Sequence, residues 1–307
     1  MNFQKILDEI YAEIQPELSR GKVADYIPAL AEVEREQFAM TLTLPDGSIY
    51  SVGESDKAFS IQSISKAFTF TMALDIYGKA LYERVGVEPS GNPFNSLVQL
   101  EYEQGKPRNP FINAGAITIT DALITHYQDE YKTLEAIISF VRSVSDTPEL
   151  SFDSAVANSE MAYGDRNLAL ARLMKSFGKF ENEVQRTVMT YFKQCAITMN
   201  TVQLSRAMLF LAFGGTDPIS GVTYVNPSKA KRVNAMMLTC GHYDASGEFA
   251  FHVGLPAKSG VGGGIAATVP GVMSIAVWSP GLNQYGNSHA GTLALELFTT
   301  KTGLSIF

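Results

Sequence analysis

Metal-binding side chains are scarce in this chain. Its 307 residues include only four histidines and two cysteines. None of His126, His242, His252 and His289 stands at metal-ligand spacing, and no H-E-x-x-H or C-x-x-C motif occurs. Basic residues are too few for a nucleic-acid face: 24 Lys and Arg stand against 31 Asp and Glu, giving a net charge of −7 and a pI near 5.2. No run of about 20 apolar residues is available to span a bilayer. Acids at Asp8 and Glu9 interrupt what would be the apolar region of an export signal. The two cysteines, Cys195 and Cys240, sit inside apolar helical patterns, which suits core thiols in a reducing compartment. These absences predict a soluble cytoplasmic protein without metal or organic cofactor, nucleic-acid partner or membrane anchor.

What is present is a globular composition, 46% apolar and 18% charged, long enough for one large domain or two interleaved ones. Phe3, Ile6, Leu7, Ile10, Tyr11 and Ile14 describe an amphipathic helix that stops near Pro16 and Gly21. The stretch from Gly21 to Leu30 has no clean period and is expected to cross the surface. Phe38, Met40, Leu42 and Leu44 alternate as a half-buried strand, and Pro45-Asp46-Gly47 turns it into a second strand around Ile49 to Val52.

From about residue 78 to 245 the pattern is helical, with loops at Pro89-Ser-Gly-Asn-Pro93 and Gly105-Lys-Pro-Arg-Asn-Pro110. Asp165 reads as a cap and Gly178 as a stop; further helices run through Val184 to Cys195, from Asn200 to Phe213, and on from Asn226-Pro227. Period two returns after residue 245, where Phe249, Phe251 and Val253 alternate and two apolar strands meet at Pro270-Gly271. Ala290, Leu293, Ala294, Leu297 and Phe298 form a closing helix capped by Asn287 or Ser288.

Strands at both ends of a helical middle predict an α+β fold, with one antiparallel sheet built from both termini and flanked by helices. Residues 1–307 then form a single domain, in which 1–62 and 245–307 make an α/β lobe and 63–244 an all-helical lobe. The cleft between lobes is the expected ligand site.

Ser63-Ile-Ser-Lys66 lies where the chain leaves the sheet for the helices. Residues at i and i+3 share a helix face, which brings the hydroxyl and the amine within reach of each other. A serine becomes a nucleophile when a base takes its proton, and a lysine serves as that base once burial or a nearby cation keeps it neutral. A first-turn position adds the dipole and the free N–H groups of a helix start. By itself the pair also reads as a cap followed by a solvated lysine. Gly260-Val-Gly-Gly-Gly264 lacks the Lys-Ser/Thr ending of a phosphate loop and precedes a strand, so its glycines are expected to let backbone N–H groups approach a ligand. Cys240 and His242, two residues apart, cannot share a helix face as a nucleophile pair.

Ser63-x-x-Lys66 followed by Lys258-Ser-Gly260 on a late strand repeats the S-x-x-K and K-T-G arrangement of β-lactamases and penicillin-binding proteins. The surrounding blocks are more specific. Gly21-Lys-Val-Ala-Asp-Tyr-Ile-Pro, Phe59-Ser-Ile-Gln-Ser-Ile-Ser-Lys, Arg108-Asn-Pro-Phe-Ile-Asn-Ala-Gly-Ala, Gly164-Asp-Arg-Asn and Val253-Gly-Leu-Pro-Ala-Lys-Ser-Gly-Val-Gly-Gly-Gly closely resemble the serine-dependent glutaminases, from about residue 21 onward. The resemblance implies a β-lactamase/transpeptidase-like fold, hydrolysis of L-glutamine to L-glutamate and ammonia, and assembly into a homo-oligomer, dimer or tetramer.

It also implies roles. Ser63 is the nucleophile and Lys66 its general base. The backbone N–H groups of Ser63 and Val261 form the oxyanion hole, and Tyr191 passes a proton to the leaving ammonia. Glu160 pairs with the substrate α-ammonium, Asn113, Asn167 and Tyr243 bind its carboxylate and amide, and Tyr26 lines the pocket. Lys258 is expected as an electrostatic neighbour that helps to keep Lys66 neutral. One departure matters: Tyr191-Phe-Lys193 lacks the Ser-x-Asn or Tyr-x-Asn motif of enzymes that recognise β-lactams. That argues against a β-lactamase or D-Ala-D-Ala peptidase. A non-catalytic amino-acid sensor is the rival of another class.

Overall fold

Strands from the two ends of the chain meet in one sheet. The computed structural model describes residues 1–90 and 96–307; the last three residues of the loop expected at Pro89-Ser-Gly-Asn-Pro93 lie outside them. The strands are β1 Ala39–Thr43, β2 Ile49–Gly53, β3 Phe59–Ser60, β4 Thr198–Met199, β5 Ala257–Ser259, β6 Gly264–Val269 and β7 Met273–Trp278. Five of them form an antiparallel sheet in the order β2-β1-β7-β6-β5, with Thr41 opposite Ala276 and Ala266 opposite Ala276 on the other side. β3 and β4 pair separately.

Alternation along these strands sorts the two faces. Met40, Leu42, Ile265, Ala267, Ile275 and Val277 pack on Leu7, Ile10 and Ile14 of the helix Phe3–Ile14 and on Phe298 of the helix His289–Thr302. Ala266, Ala276 and Trp278 face the helical region, where Phe59, Ile64, Phe68 and Phe210 gather. Small residues there let the helix Thr201–Ala212 lie close across the sheet.

β1 differs from the half-buried strand expected: all five of its residues are buried. Thr41 and Thr43 look solvent-facing in the sequence, yet their hydroxyls pair with Thr201 at 2.8 Å and Ser205 at 2.6 Å. A hydroxyl with a partner is tolerated in a core. The alternation at Phe249, Phe251 and Val253 is not a strand either, because Ser246–His252 is helical. Phe249 and Val253, four residues apart, are both buried, whereas Phe251 is 85% exposed. A spacing of four fits a helix and not a pleat. The stretch 21–30 does not simply cross the surface: Ala24, Ile27 and Leu30 are buried against Val261 and Leu282. Asp165 is the first residue of its helix, with Gly164 before it, and Ser288 rather than Asn287 caps the last one. No described helix is long and apolar enough to cross a membrane.

Caps and buried charges place the helices around the cleft. Asn200 makes a reciprocal capping box with Gln203. Asp121, fully buried on the helix Asn113–Tyr127, pairs with Arg84 and accepts the N–H groups of Glu181 at 3.0 Å and Asn182 at 2.9 Å. That anchors the start of the helix Val184–Cys195 to the helix Asn113–Tyr127. Replacing Asp121 by Ala leaves two N–H groups without an acceptor and Arg84 with only Glu181 at 3.4 Å, so Asp121→Ala is expected to lower stability by about 3–5 kcal/mol in urea denaturation; a loss below about 1 kcal/mol would contradict this anchoring role.

Candidate active site

The backbone around Ser63 is held before its side chain is considered. Phe59–Ser60 pairs with Thr198–Met199, Ile61 N–H donates to Ile197 O at 2.9 Å, and Ser60 Oγ donates to Cys195 O at 3.1 Å. Gln62 then takes a left-handed φ of 49°, uncommon for a residue with a side chain. Its amide is pinned by Ser60 Oγ at 2.9 Å and Glu160 Oε1 at 2.9 Å. The turn hands the chain to a short 3-10 segment, Gln62–Ile64, and to the helix Ser65–Tyr77. Ser63 therefore stands at a helix start with its N–H free of any backbone acceptor among the described residues.

A second backbone segment closes on the first. An added Cβ at Gly260 would lie 2.5 Å from Ile61 O and 3.3 Å from Ser63 N, and one at Gly262 would lie 2.2 Å from Ser60 O. Only glycine permits that approach. Trp278 Nε1 donates to Gly262 O at 3.0 Å, and the N–H of Gly260 donates to Gly264 O at 2.9 Å. Val261 sits between the two glycines, and its N–H has no acceptor among the described residues. Two free N–H groups thus come from adjoining segments, the composition of an oxyanion hole.

Lys66 is almost wholly buried, 1% exposed, on the helix Ser65–Tyr77. Its Nζ donates to Asn113 Oδ1 at 2.7 Å and to Phe111 O at 3.2 Å. Asn109 shapes that cradle, accepting the N–H groups of Phe111 and Ile112 at 3.0 Å each. Desolvation brings the Lys66 amine down to about 8, against the opposing pull of Cys195 and Glu160. Lys258 is a charged neighbour of Lys66. It is fully buried, donates to Ser259 O at 2.6 Å and Gly241 O at 3.0 Å, and is held well below the usual lysine value by burial and then by the Lys66 charge. The two buried amines thus stand close enough for each to oppose the other's charge.

The remaining predicted residues converge on these two. Asn113 Nδ2 donates to Asn167 Oδ1 at 3.0 Å, and Tyr191 OH reaches Asn113 Oδ1 at 3.4 Å. The Lys66 amine lies 5.8 Å from the centre of the Tyr191 ring. Burial first, then Cys195 and Glu160, keep the Tyr191 hydroxyl protonated far above the ordinary phenol range. Glu160 is buried near the end of the helix Ser154–Ala162, where desolvation raises its carboxyl to about 7 despite the Gln62 hydrogen bond and the Lys66 charge.

Tyr243, at a left-handed φ of 53°, pairs its hydroxyl with the Ser63 side chain and reaches Ser259 O at 3.5 Å. Tyr26 is 56% exposed overall, while desolvation, Tyr243 and Glu160 raise its hydroxyl above the phenol range. Cys195, four residues after Tyr191, is pushed up to about 12 by burial and stays a thiol. Ser63, Lys66, Asn113, Glu160, Asn167, Tyr191, Tyr243 and Tyr26 therefore fall in one neighbourhood.

Sequence reasoning missed Gln62, Asn109, the Phe111 carbonyl and Trp278. Gln62 and Asn109 lie inside the quoted motifs, and only their places in the fold reveal what they hold.

Chemically, the arrangement offers a hydroxyl at a helix start, a buried amine near neutrality, a buried carboxyl and two N–H groups without a backbone acceptor among the described residues. These are the parts of an acyl-transfer site.

Known proteins resemble this chain along its length. The Glutaminase family model matches residues 21–307. A glutaminase of Aliarcobacter butzleri is 58% identical over 307 residues, covering 100% of both chains. One from Agrobacterium fabrum is 55% identical over 306 residues, covering 100% of this chain and 99% of its own. Among solved structures, the probable glutaminase ybaS superposes with a TM-score of 0.94 at 35% identity, over 99% of this chain and 97% of that one. A probable glutaminase from Bacillus subtilis, complexed with 6-diazo-5-oxo-L-norleucine, superposes with a TM-score of 0.91 at 35% identity, over 100% and 98%.

Because Gly260 has no room for a Cβ, Gly260→Ala must displace either Val261 or the Ser63 segment. Ammonia release from L-glutamine is expected to slow about 100-fold or more. Unchanged release would show that the close approach of these two segments is not needed for activity.

Proposed function

This chain belongs to the glutaminase family, hydrolases that act on glutamine, and we propose that it does so through a covalent γ-glutamyl-Ser63 intermediate. The observation that carries the proposal is Lys66, three residues after Ser63 at a helix start and an amine whose burial lowers it to about 8.

Neutral Lys66 takes the Ser63 proton as Oγ attacks the side-chain amide carbon. Tyr243, paired with the Ser63 side chain, fixes the direction of the attacking hydroxyl. The carbonyl oxygen becomes an oxyanion and accepts from the N–H groups of Ser63 and Val261. The C–N bond then breaks, Tyr191 delivers a proton to the departing nitrogen, which leaves as ammonia, and Tyr191 recovers its proton from the Lys66 ammonium, so that Lys66 is neutral again. Water attacks the resulting ester with Lys66 and Tyr191 serving again, Ser63 regains its proton and L-glutamate departs.

Glutamine carries an ammonium and a carboxylate on its α-carbon. Glu160, ionised above about 7, faces the ammonium. Asn113 and Asn167, already linked to each other, offer amide donors to the carboxylate, and Tyr26 closes the rim. The 6-diazo-5-oxo-L-norleucine bound by the Bacillus subtilis relative has the same α-amino-acid head, which supports placing that head here. The proposal includes a reducing cytoplasm, consistent with two buried free cysteines, and assembly as a homo-oligomer.

The test is ammonia release from L-glutamine by wild-type, Ser63→Ala and Lys66→Ala proteins. Each substitution is expected to reduce turnover by about 10⁴-fold or more, and the double variant little further, because the pair acts as a unit. Binding of L-glutamate should survive in Ser63→Ala. Full activity of Lys66→Ala would refute the assigned base, and glutamine binding by the wild-type protein without ammonia release would make it a sensor.

A further inference from the structure

The amide of Asn109 is fixed at both ends. The residue is 1% exposed, its Oδ1 accepts the N–H groups of Phe111 and Ile112 at 3.0 Å each, and its Nδ2 donates to Glu88 O at 2.9 Å. Two donors on one side and a carbonyl on the other allow one orientation of that amide.

The Ile112 N–H belongs to the same peptide unit as the Phe111 carbonyl. A trans peptide is planar, and its N–H and C=O point in opposite directions. Holding the Ile112 N–H on Asn109 Oδ1 therefore aims Phe111 O the other way, where it accepts from Lys66 Nζ at 3.2 Å. The Phe111 ring meets Phe70 edge-on, 5.9 Å between centroids, on the same helix as Lys66. Asn113, whose Oδ1 is the other acceptor of that amine at 2.7 Å, follows Ile112 directly as the first residue of its helix.

Asn109 is itself held firmly. Gly86 N–H donates to Pro107 O at 2.8 Å and Glu88 N–H to Arg108 O at 2.9 Å. A Cβ at Gly115 would lie 1.9 Å from Asn109 O, so the first turn of the helix Asn113–Tyr127 presses on the same backbone.

A neutral lysine carries two N–H hydrogens and one lone pair. Phe111 O and Asn113 Oδ1 are acceptors for both hydrogens, so the direction of the lone pair depends on where these two oxygens stand. A base displaced by about 1 Å can cost two orders of magnitude in rate.

We propose that Asn109 is a positioning residue for the base: by fixing the peptide between Phe111 and Ile112 it holds the acceptor that orients the Lys66 amine. This rests on the reading of Lys66 as the base. The test compares Asn109→Ala and Asn109→Ser, each with wild-type circular dichroism, in ammonia release from L-glutamine and in the titration of Lys66 by ¹³C NMR of lysine Cε. A serine hydroxyl can accept from the same two N–H groups, more weakly. Asn109→Ala is expected to lower kcat about ten-fold or more with KM within about two-fold, and Asn109→Ser to lower it about two- to five-fold. The Lys66 midpoint should fall in Asn109→Ala, and by less in Asn109→Ser, because an ammonium loses more than an amine when an acceptor moves away. Glu160, Cys195, Tyr191 and Lys258, the titratable groups around that amine, are the same in both variants. A lower midpoint supplies more neutral amine at pH 7, so a fall in kcat beside it marks lost orientation rather than lost base.

Wild-type kcat and midpoint in Asn109→Ala, or in Asn109→Ser where the alanine variant does not fold, would overturn the proposal. So would a loss of kcat with the Lys66 midpoint unmoved, or a serine variant slower than the alanine one. Full activity of Lys66→Ala would end the reading of Lys66 as base, whereas the Lys66 titration needs no turnover and still decides whether Asn109 holds the amine.

Discussion

Burial of the Lys66 amine is the constraint on which the site depends. Taking an ammonium out of water is expensive, and the protein offsets part of that with two acceptors, Phe111 O and Asn113 Oδ1. Desolvation still dominates and leaves the amine near 8, where it can act as a base. The same dry surroundings lift Glu160 to about 7. Between these values both groups are charged in the folded protein, and each opposes stability. Folded Lys66 resists protonation that the unfolded chain accepts, so stability falls as pH drops from the ordinary lysine value toward about 8. Glu160 is protonated in the folded protein where the unfolded chain would ionise it, so its contribution is lost as pH rises from 4.5 to about 7. In the proposed binding mode, a zwitterionic substrate with its ammonium at Glu160 relieves part of this stored unfavourable energy.

Close backbone approach is the second constraint. Gly260 and Gly262 let one segment press on the backbone of residues 60–63, and Gln62 and Tyr243 take left-handed conformations on either side of Ser63. Neither residue is a helix C-cap, unlike Gln128 and Asp146. Their strain is held by hydrogen bonds to Glu160 and by pairing with Ser63. The cores on both faces of the sheet keep these segments together, and that is how packing far from Ser63 reaches the chemistry.

Much of this is legible in the sequence. Hydrophobic period, Asn200 and Asn226 caps, and the Pro45-Asp46-Gly47 turn locate most elements, because local physics decides them. Sequence and structure part where tertiary contacts decide. Thr41 and Thr43 look polar until the Thr201 and Ser205 hydroxyls arrive, and the spacing 249, 251, 253 mimics a strand because Phe251 is a large exposed apolar residue. Side chains of the site stand out in their motifs, whereas the Phe111 carbonyl, the free N–H groups and the lowered charge of two buried lysines are properties of backbone path and burial. The two N–H groups that Asn109 accepts are likewise invisible there: a sequence shows which groups exist and not what holds them.

The most direct measurement of the central claim is the titration of Lys66 itself. NMR of protein carrying ¹³C at the lysine Cε, with the Lys66 signal assigned by its loss in Lys66→Arg, reports the charge of that amine without reference to turnover. The account predicts a midpoint near 8. A midpoint at the ordinary lysine value, 10.5, would show that burial does not prepare Lys66 as a base and would contradict it.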